Sequence, residues 1–377
     1  MPKPKKILTK EESKTIVSRF ASAQEELVLQ TADYPLSVFQ TMADTGNLDL
    51  SPTFQRRERW DEVKRSQLIE SFLLNVPVPP VYFAEEGVGR YSVLDGKQRL
   101  STGVSFIKDE FALDGLESFT ELNGLRFSEL PEDLQSAVSA RPYLRVVILL
   151  KQSAPDLKYE VFQRLNRGGV ALNDQEIRNS MYRGPLNSMI YELSENQFLR
   201  KALKIENGKE DKSKAFQQMT DAEFVTRFFA LRENWKTYSG GLRETLDRYM
   251  SANQNPSEKE LSRLRGRFER AIAGAEAIFG NDAFRRPQNE AFRNQISSAM
   301  FDSEMIAIDL LSDDQIETLT ERAQDVKSQL TEGYETGKAA GVDLTNFPKH
   351  VTQGTNTPSF VKSRIATMFD FLEAMSE

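Results

Sequence analysis

Every run of residues that can make a buried strand falls within the first 150 positions. The stretches "VPPVYF", "YSVL" and "YLRVVILL" are short, rich in β-branched and aromatic residues, and bounded by glycine, proline or charge. Beyond about residue 185 the apolar residues recur only at helical spacing, near 186–205, 218–238, 241–251, 257–279, 288–311, 314–337 and 358–375. Such a chain cannot close one large sheet. The pattern predicts an α+β domain over residues 1–185 followed by an all-helical domain over residues 186–377.

Within the first half the order of elements is legible. Residues 11–30 read as an amphipathic helix. Leu36 opens a short helix that Gly46 and Asn47 stop, and a strand covers Leu48 to Leu50. The stripe Val63, Leu68, Ile69, Phe72 and Leu73 predicts a helix whose first turn holds Asp61 and Glu62, acids suited to the positive end of its dipole. Residues 77–86 and 90–96 make a hairpin around Gly87 and Gly89, and a helix follows over 97–108. After an irregular stretch, residues 143–150 form a buried strand. A helix capped by Asp156 follows, ended by Gly168 and Gly169, and Asn173 with Glu176 has the spacing of a capping box. The charged segment 205–216 reads as a mobile loop.

Composition removes several function classes. With no cysteine, the chain has no disulfide, no thiolate zinc site and no cysteine nucleophile. Its single histidine, His350, cannot build a His-Asn-His nuclease or a multi-histidine zinc centre, and it sits in a polar stretch that reads as a surface loop. No apolar run approaches the ~18 residues that span a bilayer, and the basic start lacks the apolar core of a secretory signal, so a cytoplasmic address is expected. The net charge of −7 argues against broad affinity for nucleic acid. Basic residues nevertheless cluster in 51–66 and in 141–183, and an anion site is expected where these segments converge.

Three clusters can carry chemistry. The first is "LDGKQRLST". Asp95 and Gly96 end a strand, and the helix that follows presents unpaired N–H groups at the positive end of its dipole. Gly96 allows a tight turn and lets an anion approach the backbone. Lys97 and Arg99 add cations, and Gln98 a neutral donor and acceptor. Asp95 can hold magnesium through water, cap the helix or orient Arg99. An ordinary Asp cap with solvated Lys and Arg accounts for the same residues about equally well. The second cluster is Gln55, Arg56, Arg57 and Arg59, flanked by Phe54 and Trp60. One arginine fork there can clamp a phosphate, or the group is a solvated loop with ion pairs worth ~0–1 kcal/mol each. Trp60 reads as core packing at a helix start. In the third, Arg164, Asn166 and Arg167 sit at a helix end, where cations suit the dipole on their own account. The functional reading makes Arg164 and Asn166 the far wall of an anion pocket.

Taken in order, "QRR", a tryptophan and helix, "VPVPPVYF", "LDGKQRLST" and "VFQRLNRGGVALNDQEIRNSMYRG" resemble the N-terminal domain of GmrSD-type restriction systems, within the ParB/sulfiredoxin-like superfamily. The resemblance covers roughly residues 35–185. It implies a small mixed sheet ringed by helices, with a nucleoside-triphosphate site on the Asp-Gly-x-Gln-Arg corner that supports hydrolysis in relatives. Carried over, Asp95, Gln98 and Arg99 are the catalytic candidates, Asp95 also facing the Mg2+ that comes with the nucleotide. Gly96, Lys97 and Arg99 bind it, with Gln55, Arg56, Arg164 and Asn166 as neighbours. Relatives act in phage defence, often by restricting modified DNA, and many pair this domain with a His-Asn-His nuclease in the same chain or a partner. This chain departs there, since one histidine cannot supply that nuclease. The resemblance therefore implies the nucleotide-sensing subunit of a split system, or a stand-alone member, with a nuclease subunit or DNA as partner. Lys97 replaces the family's usual glutamine; an extra cation should tighten triphosphate binding without positioning a water. A ParB-like DNA-binding or interaction module without turnover is the alternative. The base of the nucleotide, the oligomeric state and the role of the helical half are not encoded in any motif.

Overall fold

The computed structural model describes residues 9–25, 28–50, 60–141, 143–153, 161, 173–289 and 291–377. The chain divides into two compact units, residues 1–172 and 173–377. The division falls thirteen residues before the boundary expected at 185.

The first unit is built on one five-stranded mixed sheet. Its strands are β1 (Leu29–Pro35), β2 (Leu48–Asp49), β3 (Val81–Gly87), β4 (Arg90–Asp95) and β5 (Tyr143–Leu149), in the order β1-β5-β3-β4-β2. β1 and β5 are antiparallel, β5 and β3 parallel, β3 and β4 an antiparallel hairpin, and β4 and β2 parallel. Its described helices are α1 (Lys10–Glu25), α2 (Leu36–Asp44), α3 (Glu62–Leu73), α4 (Lys97–Ile107) and α5 (Glu132–Ser139).

Most of these follow from local chemistry. Asp61 caps α3 by accepting from the Lys64 backbone N–H at 2.8 Å. Gly89, at a left-handed φ of 71°, turns the β3–β4 hairpin. Leu144, Val146 and Ile148 of β5 point into the core while Tyr143 and Arg145 point out, the alternation of a half-buried strand. The core joins Leu36 and Phe39 of α2, Ile69 of α3, Leu100 and Phe106 of α4 and Phe83 of β3. Phe39 meets Phe83 edge to face at 6.2 Å, tying α2 to the sheet. Trp60 packs against this core as expected.

Two readings of this half are corrected. The helix expected over 11–30 ends at Glu25, and Leu29–Pro35 is a strand. Its pairing with β5 decides the matter, including a two-pronged ion pair between Asp33 and Arg145 at 3.0 and 3.1 Å, partners 112 residues apart. The stretch read as irregular contains α5, which packs on α3. A buried carboxylate orders the loop before it. Glu70 of α3 is 6% exposed and accepts the backbone N–H groups of Glu117, Ser118 and Phe119 at 3.3, 2.7 and 2.9 Å. Burial pushes the Glu70 carboxyl up, but those three N–H groups outweigh it and hold the group below its ordinary value.

The second unit is helical around a large apolar core that includes Phe228, Phe268, Phe284, Phe301, Met305 and Phe371. Its long helices are Thr220–Asn234, Glu258–Phe279, Ser298–Leu310, Ala323–Thr336 and Pro358–Ser376. The predicted capping box is present: Asn173 accepts from the N–H groups of Gln175 and Glu176, and Glu176 accepts from that of Asn173 at 2.7 Å. The reading of no strand beyond 185 is corrected by two short ribbons, Arg285–Gln288 with Ala291–Ile296 and Lys338–Ala339 with Val342–Asp343. The first lies where the helix 288–311 was expected. That helix starts only at Ser298, because Asn289 turns the chain at a φ of 50° and the two segments pair. Segment 205–216 carries a short 3-10 turn over Glu210–Lys212 and the start of a helix at Lys214. His350 lies on the short helix Phe347–Thr352 rather than in a surface loop. Its ring lies tilted against that of Phe360, centroids 4.3 Å apart, and burial holds its pKa below the usual histidine range.

Candidate functional site

β4 ends at Asp95 and α4 begins at Lys97, so Gly96 alone makes the corner. Its φ of 92° is left-handed, the region where glycine pays no Cβ penalty. Space imposes a second requirement. A Cβ on Gly96 would stand 2.4 Å from Cγ1 of Val81 and 2.9 Å from its Cβ, closer than carbon atoms approach. Gly96 thus lets the start of α4 pack directly against the start of β3, and it supplies no capping side chain to the first turn.

Arg99 turns inward from this corner. Its Nη1 donates to the carbonyl oxygens of Pro79 and Pro80 at 2.5 and 3.0 Å, and its Nη2 to Oδ2 of Asp95 at 2.6 Å. The side chain is 13% exposed and that of Asp95 34%. The sequence expectation that Asp95 orients Arg99 describes this contact. One guanidinium fixes three things: the strand end, the first helical turn and the proline segment entering β3. Prolines lack an N–H, and their φ is restricted, so Pro79 and Pro80 enter no ladder as donors while their carbonyls stay available. These carbonyls and Val81 are site residues that motif reading missed; the signal was the pair of prolines immediately before an apolar strand.

Lys97 and Gln98 occupy the first turn of α4 and are half-buried. Gln55, Arg56, Arg164 and Asn166 lie outside the described residues, as do Arg57, Arg59 and Arg167. Of the basic segment 141–183, Arg145 is held by Asp33, and Arg178 is buried in the second unit on Asp247 at 2.7 Å. A cavity of about 420 Å3 in the first unit lies away from the corner, between the start of α3 and residues 110–126. Glu62, Glu110, Asp114 and Arg126 line it, an acidic set that does not suit a polyphosphate.

Among the described residues no group of three or more His, Asp or Glu side chains is placed to hold a metal. Asp95 keeps one carboxylate oxygen outside its pair with Arg99. That fits magnesium arriving with a nucleotide, which takes one or two protein carboxylates and completes its shell with phosphate and water. Among the described residues no helix is long and apolar enough to cross a membrane.

The fold and corner define a class: a small α+β domain whose polar strand–glycine–helix junction is fixed by an arginine, followed by a helical region. Residues 37–183 match the model of the family described as GmrSD restriction endonuclease, N-terminal domain. The match spans about two fifths of the chain, contains the whole corner, and ends inside the second unit. No curated protein and no solved structure matches the chain.

Proposed function

We propose that this chain is the nucleoside-triphosphate-binding, and hydrolysing, subunit of a restriction system directed against phage or modified DNA, acting as a switch for a partner nuclease or for DNA binding. The restriction setting rests on the domain match at 37–183. The nucleotide reading rests on one observation: a helix N-terminus without a capping side chain, opening behind Gly96 at the end of a strand, with Lys97 in its first turn. A phosphate there meets backbone N–H groups and the dipole together. Asp95 offers an oxygen to magnesium, which supplies charge neutralisation on the transferring phosphoryl group. Gln98 can orient a water. Arg99 positions rather than neutralises, because its nitrogens already hold Pro79, Pro80 and Asp95.

Isothermal titration with the four ribonucleoside triphosphates, with and without Mg2+, tests binding. Phosphate release with and without plain and modified DNA tests turnover, with Asp95→Ala as control. Absence of binding by every nucleotide would remove the reading. Lys97→Gln should weaken binding, and hydrolysis that rises in Lys97→Gln would assign the lysine to a binding role at the expense of turnover. The alternative, a DNA-binding module without turnover, is weakened by the net charge of −7 and by the pairing of Arg145 and Arg178 with acids. A mobility shift that falls steeply with salt, in a protein that binds no nucleotide, would favour it.

A further inference from the structure

The second unit contains a cluster of buried charge that neither the domain match nor the α4 corner explains. Arg227, on the helix Thr220–Asn234, forks onto Asp302 of the helix Ser298–Leu310, Nε to Oδ1 at 3.1 Å and Nη2 to Oδ2 at 2.5 Å. Arg364, on the helix Pro358–Ser376, donates from Nη2 to the same Oδ2 at 2.7 Å. Arg227 is 4% exposed, and Asp302 and Arg364 are fully buried. A guanidinium does not lose its proton in a protein, so two buried cations share one buried anion. The other carboxylate acting on Arg227 is Glu223, whose Oε1 is 3.9 Å from Nη1, beyond hydrogen-bond reach. Among the described residues, the Nη1 donors of Arg227 therefore have no acceptor.

Arg227 and Glu223 line one polar cavity of about 380 Å3, together with Asp174, Arg178, Arg243 and Glu244. Its charges are sorted by depth. Arg178 and Arg227 are 2% and 4% exposed, whereas the side chains of Glu223 and Asp174 are 36% and 46% exposed. Arg178 and Arg227 make the floor, and the rim mixes the carboxylates with Arg243, itself 34% exposed. The volume suits a small ligand.

We propose that this cavity is an oxyanion site of the helical region: a single phosphate or carboxylate group seats on Nη1 of Arg227, with Arg178 and Arg243 beside it. The rim acids repel long polyanions and favour a ligand that carries a hydrogen-bond donor or cation next to its anionic group. Uncompensated positive charge in the interior is what the ligand relieves, so occupancy should stabilise the helical unit.

The test uses the full chain, titrated with inorganic phosphate and separately with acetate, ionic strength being held constant with sodium chloride. Calorimetry and the melting temperature are read together. At least one of the two anions should bind saturably and raise the melting temperature above the chloride control. Response to phosphate alone assigns a phosphate group, and response to acetate a carboxylate. Glu223→Gln removes the rim charge that faces Nη1 and should tighten binding roughly three- to tenfold; Arg243→Gln should weaken it by a similar factor. Both substitutions are at partly exposed positions and leave Asp302 paired, so folding is preserved even where Arg227→Lys fails to fold. No response beyond chloride, or a response that neither Glu223→Gln nor Arg243→Gln alters, overturns the proposal.

Discussion

Substitution of Gly96 by alanine combines two costs, one of backbone conformation and one of space. A non-glycine residue at φ of 92° pays ~1–2 kcal/mol for the left-handed backbone. The new methyl would also stand 2.4 Å from Val81 Cγ1, and Val81 is fully buried in the sheet, so it cannot swing away. Forcing an extra methyl into a packed core costs a further ~1–3 kcal/mol. Gly96→Ala should thus destabilise the first unit by roughly 2–5 kcal/mol. Gly89→Ala is the internal reference, because Gly89 has a similar φ of 71° but no atom within 4 Å of an added Cβ. It should cost only the backbone part, ~1–2 kcal/mol. The chain has two tryptophans, Trp60 in the first unit and Trp235 in the second. In a Trp235→Phe background, urea melts followed by Trp60 fluorescence therefore report the first unit. The difference between the variants isolates the close approach of α4 to β3. If Gly96→Ala costs no more than Gly89→Ala, the account of the corner as a packed junction is wrong, and the proposed phosphate seat loses the shaping it depends on.

Arg99→Lys should lower the stability of the first unit by ~1–3 kcal/mol, since one ammonium cannot reproduce a fork that serves two carbonyls and a carboxylate; faster amide exchange at Val81 and Tyr82 would show the release, and unchanged exchange would contradict it. Glu70 has a folded pKa below its unfolded value, so its contribution is present above about pH 4.5 and is lost as pH falls through the lower folded value; the stability gap between wild type and Glu70→Gln should be flat near neutrality and close below pH 4.5, and a gap unchanged at pH 3 would refute the assignment. Glu304 behaves oppositely. It is fully buried, its Oε2 accepts from the Phe284 N–H at 2.8 Å, its Oε1 has no partner among the described residues, and burial raises its pKa well above 4.5. The stability it allows is fully present below pH 4.5 and falls by up to ~1.4 kcal/mol per pH unit as pH rises toward the folded pKa. Glu304→Gln should therefore become progressively more stabilising as pH rises above 4.5, until the folded carboxyl ionises, and a gain independent of pH would exclude a neutral buried carboxyl.

The candidate site shows where sequence reading stops. Asp95 and Gly96 announce a strand ending in a turn, and the apolar stripe after Lys97 announces a helix, so the corner is written in neighbouring residues. The direction of Arg99 is not. Spacing permits it to face a ligand or the protein, and the choice falls to Pro79 and Pro80, about twenty residues earlier, whose carbonyls lie within reach only after β3 has paired with β4. The burial of Arg178 likewise depends on Asp247, 69 residues away, so a residue counted in a basic segment belongs to an internal ion pair.

What the sequence determined by itself is what period and turn chemistry encode over a few residues: the β3–β4 hairpin, the glycine corner, the capping box at Asn173 and the division into a sheet-bearing and a helical part. Tertiary structure decided the rest. β1 became a strand through β5, Glu70 ordered the loop at 117–119, and Asp302 was set between Arg227 and Arg364, 75 and 62 residues away. A buried polar group must find its partner wherever the chain brings one, and only closure of long loops into a packed core brings those partners together.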